Sequence, residues 1–204
     1  MTMISHIVNL DVRIFETINA AHTPALDWAM ARLTWLGDAW VAAPVLLAIA
    51  VWKVPRRQLA TVIVASALAM SLSGALNSWV KRAVDRPRPV RYFALQRAPS
   101  GSPAFAVHVV GKPLRSHSFP SGHTNTAFSA AVVLIVCLGG LWWLALIPAA
   151  VVGYSRIYLG VHFPADVAAG AALGVLVTWA VLWAGLLLGH RLDHRGHADP
   201  KPPA

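Results

Sequence analysis

Five long apolar runs dominate this chain of 204 residues. They occupy residues 37–54, 59–80, 121–140, 141–158 and 165–188. As a helix, a run such as 59–80 spans about 33 Å, which is enough to cross the hydrocarbon core of a bilayer. Only 12% of the residues are charged, against about 25% in an ordinary soluble domain. The pattern predicts an all-α, polytopic transmembrane helix bundle of five to six spans.

Residues 4–20, which precede these runs, have helical spacing with two unlike faces. One face is apolar and includes Ile7, Leu10 and Ile14. The polar face carries Asp11, Arg13, Glu16 and Asn19. This pattern predicts an N-terminal amphipathic helix in the membrane interface. We therefore divide the chain into an N-terminal segment (1–36), a membrane domain (37–189) and a polar, Pro-rich tail (190–204) that we expect to be disordered.

The charge balance is strongly basic, with 17 Lys and Arg against 8 Asp and Glu. The basic residues lie between apolar runs rather than on one soluble face, so we expect membrane lipids and phosphorylated substrates as partners and no nucleic acid. The single cysteine, Cys137, excludes a disulfide framework. The few carboxylates argue against a multi-carboxylate metal site. The sequence does not indicate an oligomeric state.

A polar stretch of 40 residues, 81–120, interrupts the apolar pattern, and three short motifs lie in it or after it. They are Lys81-x6-Arg88-Pro89, Pro120-Ser121-Gly122-His123 and Ser155-Arg156-x5-His162-x3-Asp166. The first follows the end of the second run, and the others lie at ends of the last three runs. Alternate crossings of the membrane place all these ends on one side. The three motifs are therefore expected to form one site.

The residue types in these motifs suit an anionic ligand. Lys81, Arg88 and Arg156 can neutralise the oxygens of a phosphoryl group in transfer. Ser121 and Gly122 open a helix, where free backbone N–H groups and the helix dipole attract anions. The pattern predicts a phosphate site built from three cations and one helix N-terminus.

Three further residues can carry the chemistry. Asp166 lies four residues after His162, in the first turn of a helix that Pro164 begins. Its carboxylate can accept the Nδ1–H of His162, which leaves Nε2 free to attack. His123 is the remaining titratable group and suits a general acid.

The three motifs resemble, in order and spacing, those of the type 2 phosphatidic acid phosphatase (PAP2) superfamily, which also includes the vanadium haloperoxidases. The resemblance covers residues 59–188 and implies an integral-membrane lipid phosphatase that needs no metal or other cofactor. It implies His162 as nucleophile, forming a phosphohistidine, His123 as general acid and Asp166 as the residue that orients His162. It implies the following phosphate ligands: Lys81, Arg88, Ser121, Gly122 and Arg156.

Relatives of this kind hydrolyse several lipids. We favour an isoprenyl diphosphate such as undecaprenyl diphosphate, and phosphatidic acid, phosphatidylglycerophosphate and lipid A phosphates stay open. The alternatives are a vanadium-dependent haloperoxidase-like enzyme and a non-enzymatic lipid or anion transporter. The resemblance implies a bacterial inner membrane with the site facing the periplasm.

Several polar residues outside the motifs have simpler interpretations. We assign Asp27 and Asp38 to helix starts at the interface. The serines at 66, 71 and 73, with Gly74, are expected to allow close helix packing. The sequence leaves the roles of His108 and His117 open.

Overall fold

The computed structural model describes residues 3–96 and 104–196, and in these ranges the chain is all-helical, as predicted. The α-helices of the described ranges are α1 (Met3–Ala20), α2 (Pro24–Leu33), α3 (Ala39–Lys53), α4 (Arg56–Val84), α5 (Pro89–Leu95), α6 (Gly122–Leu138), α7 (Leu146–Tyr158) and α8 (Pro164–Gly196). Short 3₁₀ turns at Thr34–Gly37 and Gly140–Ala145 lead into α3 and α7. Helix α8 continues past the predicted boundary at 189, and the rest of the predicted tail, 197–204, lies outside the described residues.

Three described segments are long and apolar enough to cross a membrane: Arg56–Leu95, Gly140–Tyr158 and Pro164–Leu187. A fourth candidate is the pair Pro24–Gly37 and Ala39–Lys53, which is bent by 64°. Helix α6 is apolar, but it has only 17 residues. By length and composition the described helices therefore give three to four candidate spans, where the sequence predicted five to six.

Helix α1 turns part of its polar face towards the protein. Asp11, Phe15 and Asn19 are spaced by four residues and form its buried stripe. The apolar Ile7 and Leu10 are each 59% exposed. Asp11 and Asn19, which the sequence placed on the polar face of an interfacial helix, are therefore buried against the protein. Sequence periodicity shows which residues share a helix face, but it does not show which face the rest of the chain covers.

Helix α6 lies in the middle of the bundle, packed against α4, α7 and α8. Two glycines let α8 approach it closely. A Cβ atom on Gly170 would lie 2.4 Å from the carbonyl oxygen of Ser121, and one on Gly174 would lie 2.6 Å from that of Asn125. The first turns of α6, which carry the second motif, are thereby held against the start of α8.

The predicted packing role of the small residues in α4 is right for Ser73 and wrong for Gly74. Ser73 is fully buried, and its hydroxyl accepts a hydrogen bond of 2.8 Å from the Asn125 amide of α6. A Cβ atom on Gly74 would meet no atom within 4 Å. The polar contact of Ser73, not the small size of Gly74, joins the two helices here.

Asn19 of α1 joins the polar stretch, at His108, to the end of α7. Its amide group donates to the backbone oxygens of His108 (2.8 Å) and Tyr158 (2.9 Å), and its oxygen accepts from the His108 N–H (2.9 Å). Gly160 has φ +75, and a Cβ atom there would lie 2.3 Å from the His108 oxygen. Only glycine suits both that conformation and that approach.

The two predicted helix-start acids behave differently. Asp38 caps α3 by accepting the Trp40 N–H at 2.9 Å, as expected. Asp27 lies in the first turn of α2, but it also accepts the Tyr158 hydroxyl at 2.8 Å and lies 3.0 Å from His108 Nε2. Asp27 therefore links α2, α7 and the polar stretch, and this contact also gives His108 a structural role.

Candidate active site

The three motifs come together, as the sequence predicted. The Ser121 N–H donates to the backbone oxygen of Asp166 at 2.9 Å, which joins the start of α6 to the start of α8. Arg88 Nη1 donates to the Val161 oxygen at 3.0 Å and lies 3.4 Å from His162 Nε2. These contacts place the starts of α5, α6 and α8 and the end of α7 around His162.

His162 is 2% exposed and sits between a carboxylate and a guanidinium. Its Nδ1 lies 3.5 Å from Asp166 Oδ2, and its Nε2 faces Arg88. The first distance is long for a hydrogen bond, as is common in unliganded active sites. Burial lowers the pKa of His162 well below its ordinary value, although the Asp166 carboxylate opposes this shift. The ring is therefore neutral at neutral pH, as a nucleophile must be.

Asp166 is fully buried, and both carboxylate oxygens have strong partners. Oδ1 accepts from Arg86 Nη1 at 2.7 Å. Oδ2 accepts from the Phe163 N–H at 2.9 Å and from the Ser118 hydroxyl. These donors fix the carboxylate beside His162 and favour its charged form. The sequence indicated no role for Arg86 or Ser118.

Arg86 extends this arrangement to the N-terminal helix. Its Nη2 pairs with Asp11 Oδ2 at 2.6 Å, and its guanidinium lies 4.5 Å from the centre of the Phe163 ring. Asp11 Oδ1 also accepts the Ala165 N–H at 2.7 Å. A chain of alternating charges thus runs from Asp11 through Arg86 to Asp166. The sequence signal for this chain of charges is that acids beside membrane segments are costly and need partners, but the sequence placed Asp11 only on the polar face of α1.

The three predicted phosphate-binding cations differ in how they are held. Arg88 is 8% exposed, and its Nε donates to the Ser116 oxygen at 2.9 Å. Arg156 donates to the Thr34 hydroxyl at 2.8 Å, while its buried Nε has no partner among the described residues. Lys81 Nζ donates to the His117 oxygen at 3.2 Å. Backbone and hydroxyl oxygens hold these cations without neutralising their charge, which stays available to an anion.

The first turn of α6 supplies the predicted helix N-terminus, with one difference. The Ser121 N–H is already donated to Asp166, and its buried hydroxyl accepts from Thr124 at 2.9 Å. Gly122 and His123 are the next residues, and N–H groups in this turn have no acceptor within the helix. The backbone N–H groups that can bind an anion are therefore those of Gly122 and His123, not that of Ser121.

His123 lies on the same turn, at the rim of a cavity that it shares with Gly122, Asp38 and Asn77. A Cβ atom on Gly37 would lie 2.7 Å from the His123 oxygen, so the bend before α3 is pressed against this residue. The predicted general acid is thus on the side of the site next to α3 and α4. The sequence left the role of His117 open. Its carbonyl oxygen accepts a hydrogen bond from Lys81 Nζ, and its ring Nδ1 lies 3.5 Å from Asp85 Oδ1.

Residues 60–187 of the chain, which contain all three motifs, match the model of the PAP2 superfamily. The chain belongs to the PAP2 superfamily. It is similar to the undecaprenyl-diphosphatase of Sulfolobus acidocaldarius, with 29% identity over 173 residues covering 84% of this chain and 77% of that one. It is also similar to the lipid A 4'-phosphatase of Bacteroides thetaiotaomicron, with 30% identity over 186 residues, 87% of this chain and 77% of the relative.

Among solved structures, Aquifex aeolicus LpxE superposes with a TM-score of 0.68 at 30% identity, covering 85% of this chain and 95% of that one. The predicted family is therefore confirmed, and with it the predicted class of membrane-bound PAP2 lipid phosphatase. The roles of the individual site residues stay predictions.

Arg86 gives a prediction of its own. Arg86→Gln leaves the carboxylates of Asp11 and Asp166 buried without their shared cation, so we expect a loss of about 3 kcal/mol in the free energy of unfolding together with a lower kcat. Asp11→Asn should have a smaller effect, because the amide oxygen can still accept from Ala165. Thermal unfolding in detergent and phosphate release measure the two effects. Arg82→Gln, on the exposed side of the same segment, is the matched control, and equal losses in both Arg variants would contradict the assignment.

Proposed function

We propose that this PAP2 protein hydrolyses a lipid phosphate through a phosphohistidine on His162. The observation that carries the proposal is the buried, neutral imidazole held between Asp166 and Arg88, beside two further cations and the start of α6. A phosphoryl group bound between Nε2 and Arg88 would replace their long contact of 3.4 Å. Its oxygens would then meet Lys81 and Arg156.

In the first step, His162 Nε2 attacks phosphorus and the bond from phosphorus to the leaving oxygen breaks. His123 gives its proton to that oxygen, so the lipid leaves as an alcohol or as a lipid monophosphate. The Asp166 carboxylate stabilises the positive charge that the attack places on His162. In the second step, water attacks the phosphohistidine and His123 takes the proton of the water, which releases inorganic phosphate and restores both histidines.

For the membrane arrangement, we propose that all five apolar runs cross and that α1 lies in the interface. Helix α6 is about 25 Å long at 1.5 Å per residue, and its place among α4, α7 and α8 supports a crossing. The exposed apolar face of α1 supports contact with lipid. The family resemblance supports an inner membrane with the site towards the periplasm. Labelling of a Lys112→Cys variant in intact cells with a membrane-impermeant maleimide tests this orientation.

The named relatives support a lipid phosphate as substrate, but their names specify different lipids. The Sulfolobus protein is named for a diphosphate and the Bacteroides protein for a phosphorylated lipid A. The leaving group is a lipid monophosphate in a diphosphatase reaction and an alcohol in a phosphomonoesterase reaction. The preference for an isoprenyl diphosphate stays a prediction from the sequence, with phosphatidic acid and phosphatidylglycerophosphate beside it.

The proposal predicts metal-independent turnover that vanadate blocks. The described ranges hold no group of three or more His, Cys, Asp or Glu side chains that could bind a metal ion. Vanadate can adopt the five-coordinate geometry of the transferring phosphoryl group, and such analogues bind tightly. The test measures phosphate released from a panel of lipid phosphates by detergent-purified protein in EDTA. Turnover that disappears in EDTA and returns with Mg²⁺ would refute the mechanism, and vanadate-dependent halide oxidation would favour a peroxidase.

A second prediction concerns His123. His123→Ala removes the proton for the leaving oxygen, which is typically worth about 10²–10⁴ in rate. The loss should be greater for a lipid monophosphate, whose alkoxide leaves poorly, than for a diphosphate. Single-turnover phosphate release on both substrates measures the two ratios. Equal fractional losses, with chemistry shown to limit the rate, would count against His123 as the acid.

A further inference from the structure

Asp38 separates two helical segments beside the candidate active site. The segments Pro24–Gly37 and Ala39–Lys53 meet at a bend of 64°, and Asp38 is the residue between them. The residue before Asp38 is pressed against His123, because a Cβ atom on Gly37 would lie 2.7 Å from the His123 oxygen and 2.9 Å from its Cβ atom. The bend therefore holds Asp38 one residue away from a close contact with the proposed general acid.

Asp38 and His123 line one cavity of about 230 Å³. The remaining lining residues are small or carry an amide or hydroxyl group, and Asp38 is the single acid among the lining residues. In the described part of the chain no short ion pair includes Asp38, so its carboxylate and the His123 ring are not in direct contact. The cavity is large and polar enough for water to bridge the two side chains.

The capping of α3 does not by itself require the charge of Asp38. Its Oδ1 accepts the Trp40 N–H at 2.9 Å, and the neutral residues Ser and Asn cap a helix about as well as Asp does. An acid beside a membrane segment is costly when its charge has no use. The cap therefore accounts for a short polar side chain at this position, and the negative charge needs a further reason.

The charges around His123 supply that reason. In the described part of the chain, the charges that act most strongly on His123 are those of Arg156, Asp38, Lys81 and Arg88. They belong to α7, to the bend before α3, to α4 and to the residue before α5. The three cations disfavour the imidazolium form that a general acid must have, and the Asp38 carboxylate favours it. Without Asp38, the cations that attract the phosphate would also drive the proton off His123.

We propose that Asp38 is a positioning residue for the general acid, and that its carboxylate holds the His123 imidazolium in place until the proton passes to the leaving oxygen. The inference rests on the proposed function, because it needs His123 to protonate that oxygen. As His162 Nε2 bonds to phosphorus, the bond to the leaving oxygen breaks, this oxygen takes the proton and the His123 ring becomes neutral. The neutral ring then takes a proton from the attacking water and returns to the imidazolium form that Asp38 stabilises.

The experiment measures how the first step depends on pH in the full-length protein in detergent. The lipid phosphate that the protein hydrolyses fastest is turned over once at saturating protein, and the lipid product is followed, so that the rate constant reports groups in the complex with substrate. Asp38→Asn keeps the cap and removes the charge. We expect the alkaline limb of the pH profile to move to lower pH by about one unit, which lowers the rate about tenfold above that limb. The steady-state KM should not rise, because the substitution removes a negative charge near the proposed phosphate site.

A cycle of single and double variants shows whether Asp38 acts through His123. In the His123→Ala background, Asp38→Asn should cause no further loss, because the acid that Asp38 serves is already gone. A residue that only supports the fold would lower the rate in both backgrounds.

Three further variants separate the charge from the cap. Asp38→Ser also keeps the cap without the charge, so it should match Asp38→Asn, and it decides the question if Asp38→Asn does not fold. Thr23→Ala removes the cap of α2, where the Thr23 hydroxyl accepts the Leu26 N–H at 3.3 Å, and should leave the pH profile in place. Asp85→Asn removes the charge of an acid whose side chain is 54% exposed, and should change neither the rate nor the profile.

The outcomes separate this inference from the proposed function. An alkaline limb that stays in place in a folded Asp38 variant overturns the inference, and so does an equal shift in Asp85→Asn. A loss from Asp38→Asn that persists in the His123→Ala background overturns it as well. If His123→Ala alone keeps the wild-type rate, the inference fails with the acid role of His123, while the phosphohistidine on His162 is unaffected. Absence of His162-dependent phosphate release from every lipid would instead overturn the proposed function.

Discussion

His162→Ala is expected to abolish turnover, with a loss of at least about 10⁴ in kcat. The substitution removes the atom that we propose attacks phosphorus, while the cations and the start of α6 stay in place. Inorganic phosphate, which the cations can hold without a bond to His162, should therefore still bind to the variant. Single-turnover phosphate release and phosphate binding by calorimetry measure the two properties separately.

A control and a rescue make this experiment specific. His6→Ala changes an exposed histidine on α1 and should leave turnover unchanged. Free imidazole can enter the space left in His162→Ala and should restore part of the turnover. A variant that retains more than about a tenth of the wild-type kcat would rule out a nucleophilic role for His162. Loss of phosphate binding together with turnover would indicate a collapsed site instead.

Asp166→Asn is expected to lower kcat by about 10²–10⁴, by analogy with the carboxylate of a catalytic triad. The amide keeps the size of the carboxylate but cannot stabilise the positive charge on His162. It also turns an NH₂ group towards donors, because Arg86, Ser118 and the Phe163 N–H all point at this side chain.

The pH dependence provides a second readout for Asp166→Asn. The carboxylate opposes the lowering of the pKa of His162 by burial, so its removal should lower that pKa further. A lowered pKa keeps the ring neutral at more acidic pH, so the variant should lose rate without gaining a requirement for alkaline pH. Asp85→Asn, an exposed acid after α4, is the control. A restored rate at high pH would contradict the proposed role of Asp166.

The sequence predicted the motif residues correctly as one group because their positions follow from helix ends. Lys81 lies just after the second predicted span and Ser121 at the start of the third, so the predicted alternation of crossings alone brings them together. His162 and Asp166 are neighbours along the chain, and the spacing of four residues suffices. No knowledge of tertiary packing was needed for either pair.

The contacts that the sequence did not predict depend on tertiary packing. Arg86 and Asp11 are 75 residues apart, and nothing local in either segment indicates the other. The same holds for the buried face of α1, because the position of Phe15 marks the inner side only once Phe93 and Phe163 are known to pack against it. The span count differed because two of the predicted spans form short helices: α3 has 15 residues and α6 has 17, each short for a crossing.

The contact between Asp11 and the start of α8 has a consequence for how the protein is made. Asp11 and Ala165 are 154 residues apart, so α1 is synthesised long before this partner. Until then, Asp11 lacks both Ala165 and the shared link through Arg86 to Asp166. A chain that stops before α8 lacks Asp166, the partner proposed for His162, and leaves Asp11 without the Ala165 N–H. Under the proposed mechanism, such an incomplete product cannot hydrolyse a lipid phosphate.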